Sequence, residues 1–387
     1  MASVAAGFGA DPGRYAELAA LPAATVAAHQ QVVLIVIDGL GYDFLRTHAE
    51  LAPTLNAHLQ GEMTSVFPST TAAAIGTYLT GVAPVEHGLT GWHVYLRELG
   101  AVLAVLPGRA RAGTMLYRDA EQVLQVLGTV PFTDRLPVES VMVAPEFIAY
   151  SPFNQAHRGK ARLSAYETLD DMFALTAQAV MHPGRRYVYT YWPDLDSTAH
   201  MHSMGGPQTL ALMAELDSAF AHFLKTIEGT DTLVVLSADH GHVNTDDNET
   251  LVLNDAPRVA GDLLLPLCGE PRAAYAYVQH GAHARFEDTV RNAFGDALDV
   301  VSSPQALDDG WFGPGTPHAS FTSRGGDFVL LPDAELMVRD WLPGERHFAL
   351  HSAHGGLSSS EMRVPLVVVA PGNAPIRANP GINQNNK

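Results

Sequence analysis

Lysine is scarce: Lys160, Lys225 and Lys387 are the only three in 387 residues, and 23 basic side chains face 41 acidic ones for a formal charge of -18. Binding to a nucleic-acid polymer needs clustered Lys and Arg against the phosphates, so this balance argues against that partner. Cysteine is nearly absent too, and Cys268 alone cannot close an intrachain disulfide. No apolar run approaches the roughly 20 residues that span a bilayer. The stretch from Met1 to Ala10 lacks the basic flank and apolar segment of a signal peptide. No Walker loop and no Gly-x-Ser-x-Gly elbow occurs. These absences lead to the expectation of a soluble cytoplasmic protein with no membrane partner, and they are silent on oligomeric state. A chain with 47% hydrophobic and 17% charged residues is long enough for a large core.

What is present centres on Val32-Val33-Leu34-Ile35-Val36-Ile37, an uninterrupted aliphatic run that leads straight into Asp38-Gly39. Such a run reads as a strand buried on both faces, central in a parallel sheet. Open α/β sheets collect their ligands beyond the carboxyl ends of parallel strands, and Gly39 lets the backbone turn sharply there. Leu233-Val234-Val235-Leu236-Ser237-Ala238 repeats the pattern and delivers Asp239-His240-Gly241. Two buried strands bringing acid and imidazole to one sheet edge point to a metal site.

Along the chain, residues 1 to 13 are small and polar and are expected to be loose. A helix interrupted at Pro22 leads to the first strand, and another starts near Asp43. Pro68-Ser69-Thr70-Thr71 opens the small-residue run Ala72 to Thr80, with hydroxyl residues of the helix-start type. A helix is expected from Tyr166 to Val180 and a strand from Tyr187 to Trp192. Met213, Leu216, Phe220, Phe223, Leu224 and Ile227 recur at helical spacing and cover a sheet face. Short strands are expected at Ala274 to Val278 and Phe328 to Leu331, a helix near Phe286 to Phe294, and a last core strand at Val364 to Ala370. The expected organisation is one α/β domain over 14–370, a mainly parallel sheet sandwiched by helices. Residues 243–350 form an inserted α+β subdomain over the site, and 371–387 a flexible tail.

Asp38, Thr71, Asp196, His200, Asp239, His240 and His354 are far apart in sequence, yet each stands at or beside the end of an apolar run. Asp196 and His200 are offset i, i+4, so one helical turn would present both in the same direction. Asp194 competes with Asp196, but its offset to His200 places it on another face. His354 precedes Gly355-Gly356, where glycines imply a backbone pressed close to a neighbour. Mixed carboxylate and imidazole ligands suit Zn²⁺, with Mn²⁺ a second choice. His202, His242 and His351 flank these positions as pocket-wall or supporting candidates, each read first as a hydrogen-bonded structural histidine, as are His87 and His318. Ser69 and Thr70 are read as helix caps.

The ordered set Asp-Gly, Phe-Pro-Ser-x-Thr, Asp-x-x-x-His, Asp-His-Gly and a late His-Gly-Gly resembles the alkaline phosphatase superfamily, and within it the type I phosphodiesterase/nucleotide pyrophosphatase family. The resemblance covers roughly 30–90, 185–242 and 350–370. It implies an alkaline phosphatase-like fold and two Zn²⁺ ions. One would be held by Asp38, Asp239 and His240 and bridged to Thr71, the other by Asp196, His200 and His354. It further implies Thr71 as nucleophile, three residues after Pro68 as in the family, and a phosphothreonine intermediate that water hydrolyses. The substrate would be a small phosphate ester.

One departure matters. Family members typically follow the nucleophile with Phe-Pro-Asn, whose Asn helps hold a phosphoryl oxygen, whereas this chain has Ala72-Ala73-Ala74. Nucleotide substrates are therefore in doubt. Two dications against three aspartates leave one positive charge, which a Thr71 alkoxide cancels, so a singly charged diester suits the site better than a monoester dianion. A monoesterase or phosphomutase of the same superfamily is the alternative within the class, and a catalytically silent metal-binding or interaction protein is the alternative outside it. Structural zinc sites are usually closed and lack an adjacent hydroxyl nucleophile, which disfavours the latter. A dinucleotide fold fails because Phe44 stands at the third glycine position. A sulfatase fails because Cys268-Gly-Glu-Pro271-Arg272 has the wrong spacing.

Overall fold

Alternate residues of the run that ends at Asp38 point into two different cores. In the computed structural model, which describes residues 1–113, 117–245 and 250–371, Gln31–Ile37 is a fully buried strand. Val32, Leu34 and Val36 pack in a cluster with Ile75, Leu79 and Phe132. Val33, Ile35 and Ile37 pack in another with Met213, Phe220 and Phe223. A strand with helices on both sides has no polar face, which is why its sequence shows no alternation. Each such side chain contributes on the order of 1.5–3 kcal/mol through burial.

This strand is the fourth of seven, in the order Leu59–Thr64, Arg363–Val369, Thr232–Ser237, Gln31–Ile37, Arg186–Trp192, Glu139–Pro145, Arg162–Tyr166. It pairs in parallel with Arg186–Trp192 and with Thr232–Ser237. The register sets Ile37 beside Trp192 and Val36 beside Ser237, so three carboxyl ends share one edge. Arg363–Val369 runs antiparallel to both its neighbours. A parallel-rich sheet covered on both faces is the expected fold class.

The helix over Met213 to Phe223 spans Pro207–Thr226, and the small-residue run forms Thr71–Thr80, stopped by Gly81 at φ 70°. The expected helix from Tyr166 begins later, at Leu169–Met181, because Arg162–Tyr166 extends the sheet by pairing with Glu139–Pro145. The amino-terminal expectation is overturned. Ala2–Gly7 is helical, and Val4, Ala5 and Phe8 are buried in the same core as Tyr187. The alanines that gave this segment a bland composition let it pack closely.

A second seven-stranded sheet is antiparallel, in the order Leu298–Ser302, Phe328–Pro332, Ala273–Ala276, Cys268–Glu270, His93–Leu96, Ala101–Ala104, Arg109–Ala110. Its strands come from 93–110 as well as from within 243–350, and they meet where Gly269 pairs with His93. The segment expected to be a flexible tail lies, from residue 372 on, outside the described residues. Among those residues no helix is long and apolar enough to cross a membrane.

Candidate metal centre and active site

Six of the seven predicted positions form two triads, and the seventh adjoins one of them. Asp38, Asp239 and His240 offer ligand atoms within 4.8 Å of one another, as do Asp196, His200 and His354. His240 Nε2 lies 3.3 Å from Asp38 Oδ1 and 3.4 Å from Asp239 Oδ2. Asp196 Oδ1 lies 3.2 Å from His200 Nε2 and 3.5 Å from His354 Nε2. Thr71 Oγ1 is 3.2 Å from His240 Nε2. The imidazoles of His240 and His354 stack at 3.6 Å, one from each triad.

The fold explains the convergence. Asp38 directly follows the central strand, and its N–H donates to Trp192 O at 2.9 Å. Asp196 and His200 stand on the helix Asp194–His202 that leaves the neighbouring strand. Asp239 and His240 follow the third parallel strand. Thr71 opens its helix, and His354 follows the short strand Ser352–Ala353.

The donor set fits cations. Asp239 Oδ1 accepts the N–H groups of Gly39 and His240, and Asp38 Oδ2 accepts the Tyr191 hydroxyl. The other oxygens, Asp38 Oδ1 and Asp239 Oδ2, are buried without a hydrogen bond, and so is Asp196 Oδ1. Buried polar atoms in native proteins are almost always paired, and three orphaned carboxylate oxygens in one cage are what a bound metal would satisfy. The imidazoles are turned for the same purpose: Nδ1 of His200, His240 and His354 meets the carbonyls of Ser352, Gly241 and Ser69 at 2.7, 3.0 and 3.1 Å. Each Nε2 lone pair is thereby left for a metal.

Without cations the cage is electrostatically crowded. Burial first, and then the charge of Asp196, push the Asp38 carboxyl up; burial and Asp38 push Asp239 well above the carboxylate range. Burial also works against ionised Asp196, but His200 and His242 outweigh it and hold this carboxyl well below its usual value. His200 in turn rises to about 9, because Asp196 outweighs its burial.

His242 is the residue that sequence reading undervalued. Its Nε2 is 3.1 Å from Asp196 Oδ1, its Nδ1 is 3.1 Å from Ser352 Oγ, and it forms a third candidate group with Asp196 and His240. The signal was its place two residues after His240 on the same loop. His202 and His351 are exposed, and Asp194 stands in no candidate metal group among the described residues. His87 and His318 are hydrogen-bonded to Thr77 and to Leu127 O, as structural histidines are. The cap reading of Ser69 and Thr70 fails. Thr70 occupies the N-cap position without a side-chain cap, its hydroxyl donating instead to Glu270, while Ser69 Oγ donates to Gly356 O at 2.7 Å.

Above Thr71, Asp196, His200 and His354 opens a cavity of about 360 Å³. Trp92, Trp341 and Phe348 give it aromatic walls, and Glu270 lines it, its carboxyl raised by burial to about 7. Arg111 reaches it, but its guanidinium donates to Asp340 at 2.7 Å and to Glu345 at 3.0 Å. Arg339 lies over the rings of Trp341 and Phe348.

The family model for type I phosphodiesterase / nucleotide pyrophosphatase matches residues 32–356. No curated protein matches the sequence. Among solved structures, murine ectonucleotide pyrophosphatase/phosphodiesterase 5 is similar at 15% identity, with 87% of each chain covered and a TM-score of 0.66. An inactive variant of it in complex with AMP covers 88% of each chain at a TM-score of 0.67. Phosphonoacetate hydrolase from Sinorhizobium meliloti, in complex with phosphonoformate, is similar at 15% identity, 92% of each chain and a TM-score of 0.67.

Proposed function

The chain belongs to the type I phosphodiesterase / nucleotide pyrophosphatase family, a metal-dependent hydrolase family, and from that premise we propose that it cleaves small phosphodiesters with Thr71 as nucleophile at a two-zinc site. The observation that carries this reading is a hydroxyl, at the start of a helix, within 3.2 Å of an imidazole of one metal-type triad. That imidazole is stacked on one of the other triad, under an open cavity. Asp38, Asp239 and His240 would hold one ion beside Thr71, and Asp196, His200 and His354 the other, with His242 steadying Asp196. Two bound zinc ions would lower the pKa of the attacking hydroxyl and neutralise charge on the phosphoryl oxygens.

The chain's own groups set the geometry. Thr71 is the first residue of its helix, and the first-turn N–H groups, which have no acceptor inside the helix, would be available to a phosphoryl oxygen at Thr71. They would stand in for the asparagine that Ala72-Ala73-Ala74 does not supply. Attack by Thr71 Oγ on phosphorus forms the threonine phosphoester as the bond to the leaving alcohol breaks. Water then hydrolyses that ester, releasing a phosphomonoester and restoring the hydroxyl. Because Arg111 is already paired with Asp340 and Glu345, it offers little to a second phosphate charge, which favours a diester. The aromatic walls suit an apolar or aromatic leaving group, with residues 243–350 and their sheet partners at 93–110 forming a subdomain over the site.

Thr71→Ala is expected to lose at least about 1,000-fold in turnover of bis(p-nitrophenyl) phosphate while keeping metal and fold. Retained turnover moves the nucleophile elsewhere. Elemental analysis is expected to find two zinc ions per chain, and a single ion discredits the pairing. Turnover of p-nitrophenyl phosphate equal to or better than that of the diester would reverse the substrate preference. Reversible loss of hydrolysis on chelation separates the enzyme from a silent metal binder.

A further inference from the structure

The turn carrying Glu270-Pro271-Arg272 contributes nothing to the metal cluster, yet it grips both loops that deliver Thr71 and His354. Glu270 ends the strand Cys268–Glu270 in the second sheet and is 8% exposed. Its Oε1 accepts the Thr70 hydroxyl and, at 2.7 Å, the N–H of Trp92. Thr70 immediately precedes the nucleophile, and Trp92 belongs to the cavity wall. On the other side Gly355, next to His354, presses against the same side chain: a Cβ there would stand 2.6 Å from Glu270 Cβ. The two gripped loops also hold each other, since Ser69 and Gly355 form a bridge and the Ser69 carbonyl meets His354 Nδ1 at 3.1 Å. Two residues on, Arg272 donates to Glu361 at 3.2 and 3.1 Å, and Glu361 accepts the Gly356 N–H at 2.8 Å.

We infer that Glu270 is a positioning residue for the phosphoryl-transfer step: by holding Thr70 it fixes the direction in which Thr71 presents its hydroxyl to the two triads. The inference rests on the reading of Thr71 as nucleophile. One carboxyl oxygen that accepts both a hydroxyl and an amide ties the two donor segments to a single point, whichever charge state the group is in. Removing it leaves the buried Thr70 hydroxyl, and with it the Trp92 N–H, without that acceptor. A displacement of about 1 Å at a reacting atom lowers rate on the order of 100-fold.

The test compares Glu270→Ala, Glu270→Gln, Thr70→Val and the Thr70→Val/Glu270→Ala double variant, each loaded with zinc. Glu270→Ala is expected to lower kcat by about 30- to 100-fold with KM within about three-fold of wild type, and with zinc content unchanged. Amide hydrogen exchange is expected to quicken over 69–74 but not over 31–37. Glu270→Gln keeps an acceptor oxygen for both donors and should return kcat to within about five-fold of wild type. Thr70→Val cuts the same link from the other end, so the double variant should be no slower than the slower single one. The inference is overturned if Glu270→Ala stays within two-fold of wild-type kcat, if Glu270→Gln is as slow as Glu270→Ala, or if the two losses multiply. Should Glu270→Ala fail to fold, Thr70→Val keeps the side chain's shape and carries the kcat and exchange measurements alone. Failure of the underlying reading looks different, because Thr71→Ala then retains turnover and the exchange response at 69–74 still reports on Glu270.

Discussion

At Gly39 a hydrogen stands where any other residue would carry a carbon. Its φ is +76°, and an added Cβ would lie 2.5 Å from His242 Nε2 and 3.1 Å from the Asp196 backbone. Gly39→Ala therefore combines left-handed strain with a clash in the floor of the metal cage. We expect a loss of about 2–4 kcal/mol and weakened zinc retention, read by thermal denaturation and dialysis against a chelator. Glu270 gives a pH signature. Burial lifts its carboxyl from 4.5 to about 7, so the folded protein holds a proton there that the unfolded chain has released. Its contribution to stability is complete below the unfolded value and is lost as pH rises through about 7. Glu270→Gln cannot ionise, so relative to wild type it should gain stability between pH 5 and pH 8.5, by on the order of 3 kcal/mol at most. An offset that is the same at both ends of that range would show that the carboxyl is not desolvated. Single residues were legible in sequence where an apolar run announced them, as at Asp38 and Asp239. His242 and Glu270 were not: one follows the motif by two positions, and the other sits in a short strand whose neighbours come from 93–110 and 273–276.

Among elements, the three parallel strands that build the sheet edge were readable because strands buried on both faces leave continuous apolar runs, aliphatic in Gln31–Ile37 and Thr232–Ser237 and aromatic in Arg186–Trp192. The helix Leu169–Met181 was placed a few residues early, since Tyr166 is both the last residue of a strand and apolar enough to continue a helical pattern. In sequence, the turn between Cys268–Glu270 and Ala273–Ala276 carries no signal beyond an incomplete sulfatase-type spacing. Its Arg272 is 4% exposed and Glu361 fully buried, so their ion pair is shielded from water. Glu361→Ala removes one partner and leaves a buried guanidinium. The expected destabilisation is about 3–5 kcal/mol, seen as a shift of the urea midpoint. A shift under 1 kcal/mol would mean that the turn is held by something other than this pair.

For the molecule as a whole, the net charge argues against long nucleic acids, no described helix is long and apolar enough to cross a membrane, and the motif order pointed to the family. Neither composition nor motif order could reveal that the amino-terminal segment is helical and packed, because small residues look alike in loops and in tight interfaces. Three aspartates caged with four histidines would make folding and metal loading interdependent. At free zinc about 1,000 times the dissociation constant, binding at the proposed site would add about 4 kcal/mol to stability. Chelation is thus expected to lower the calorimetric unfolding temperature by several degrees, with recovery on adding zinc; an unchanged midpoint would argue against any tightly held ion. The antiparallel strand Arg363–Val369 has a separate consequence for biosynthesis. Among the described residues it is the last of the sheet to leave the ribosome, and it must insert between Thr232–Ser237 and Leu59–Thr64, which has no other strand partner there. Until then the nascent polypeptide carries an unsealed hydrophobic border, so prematurely terminated translation products should be recovered as aggregates or bound to chaperones.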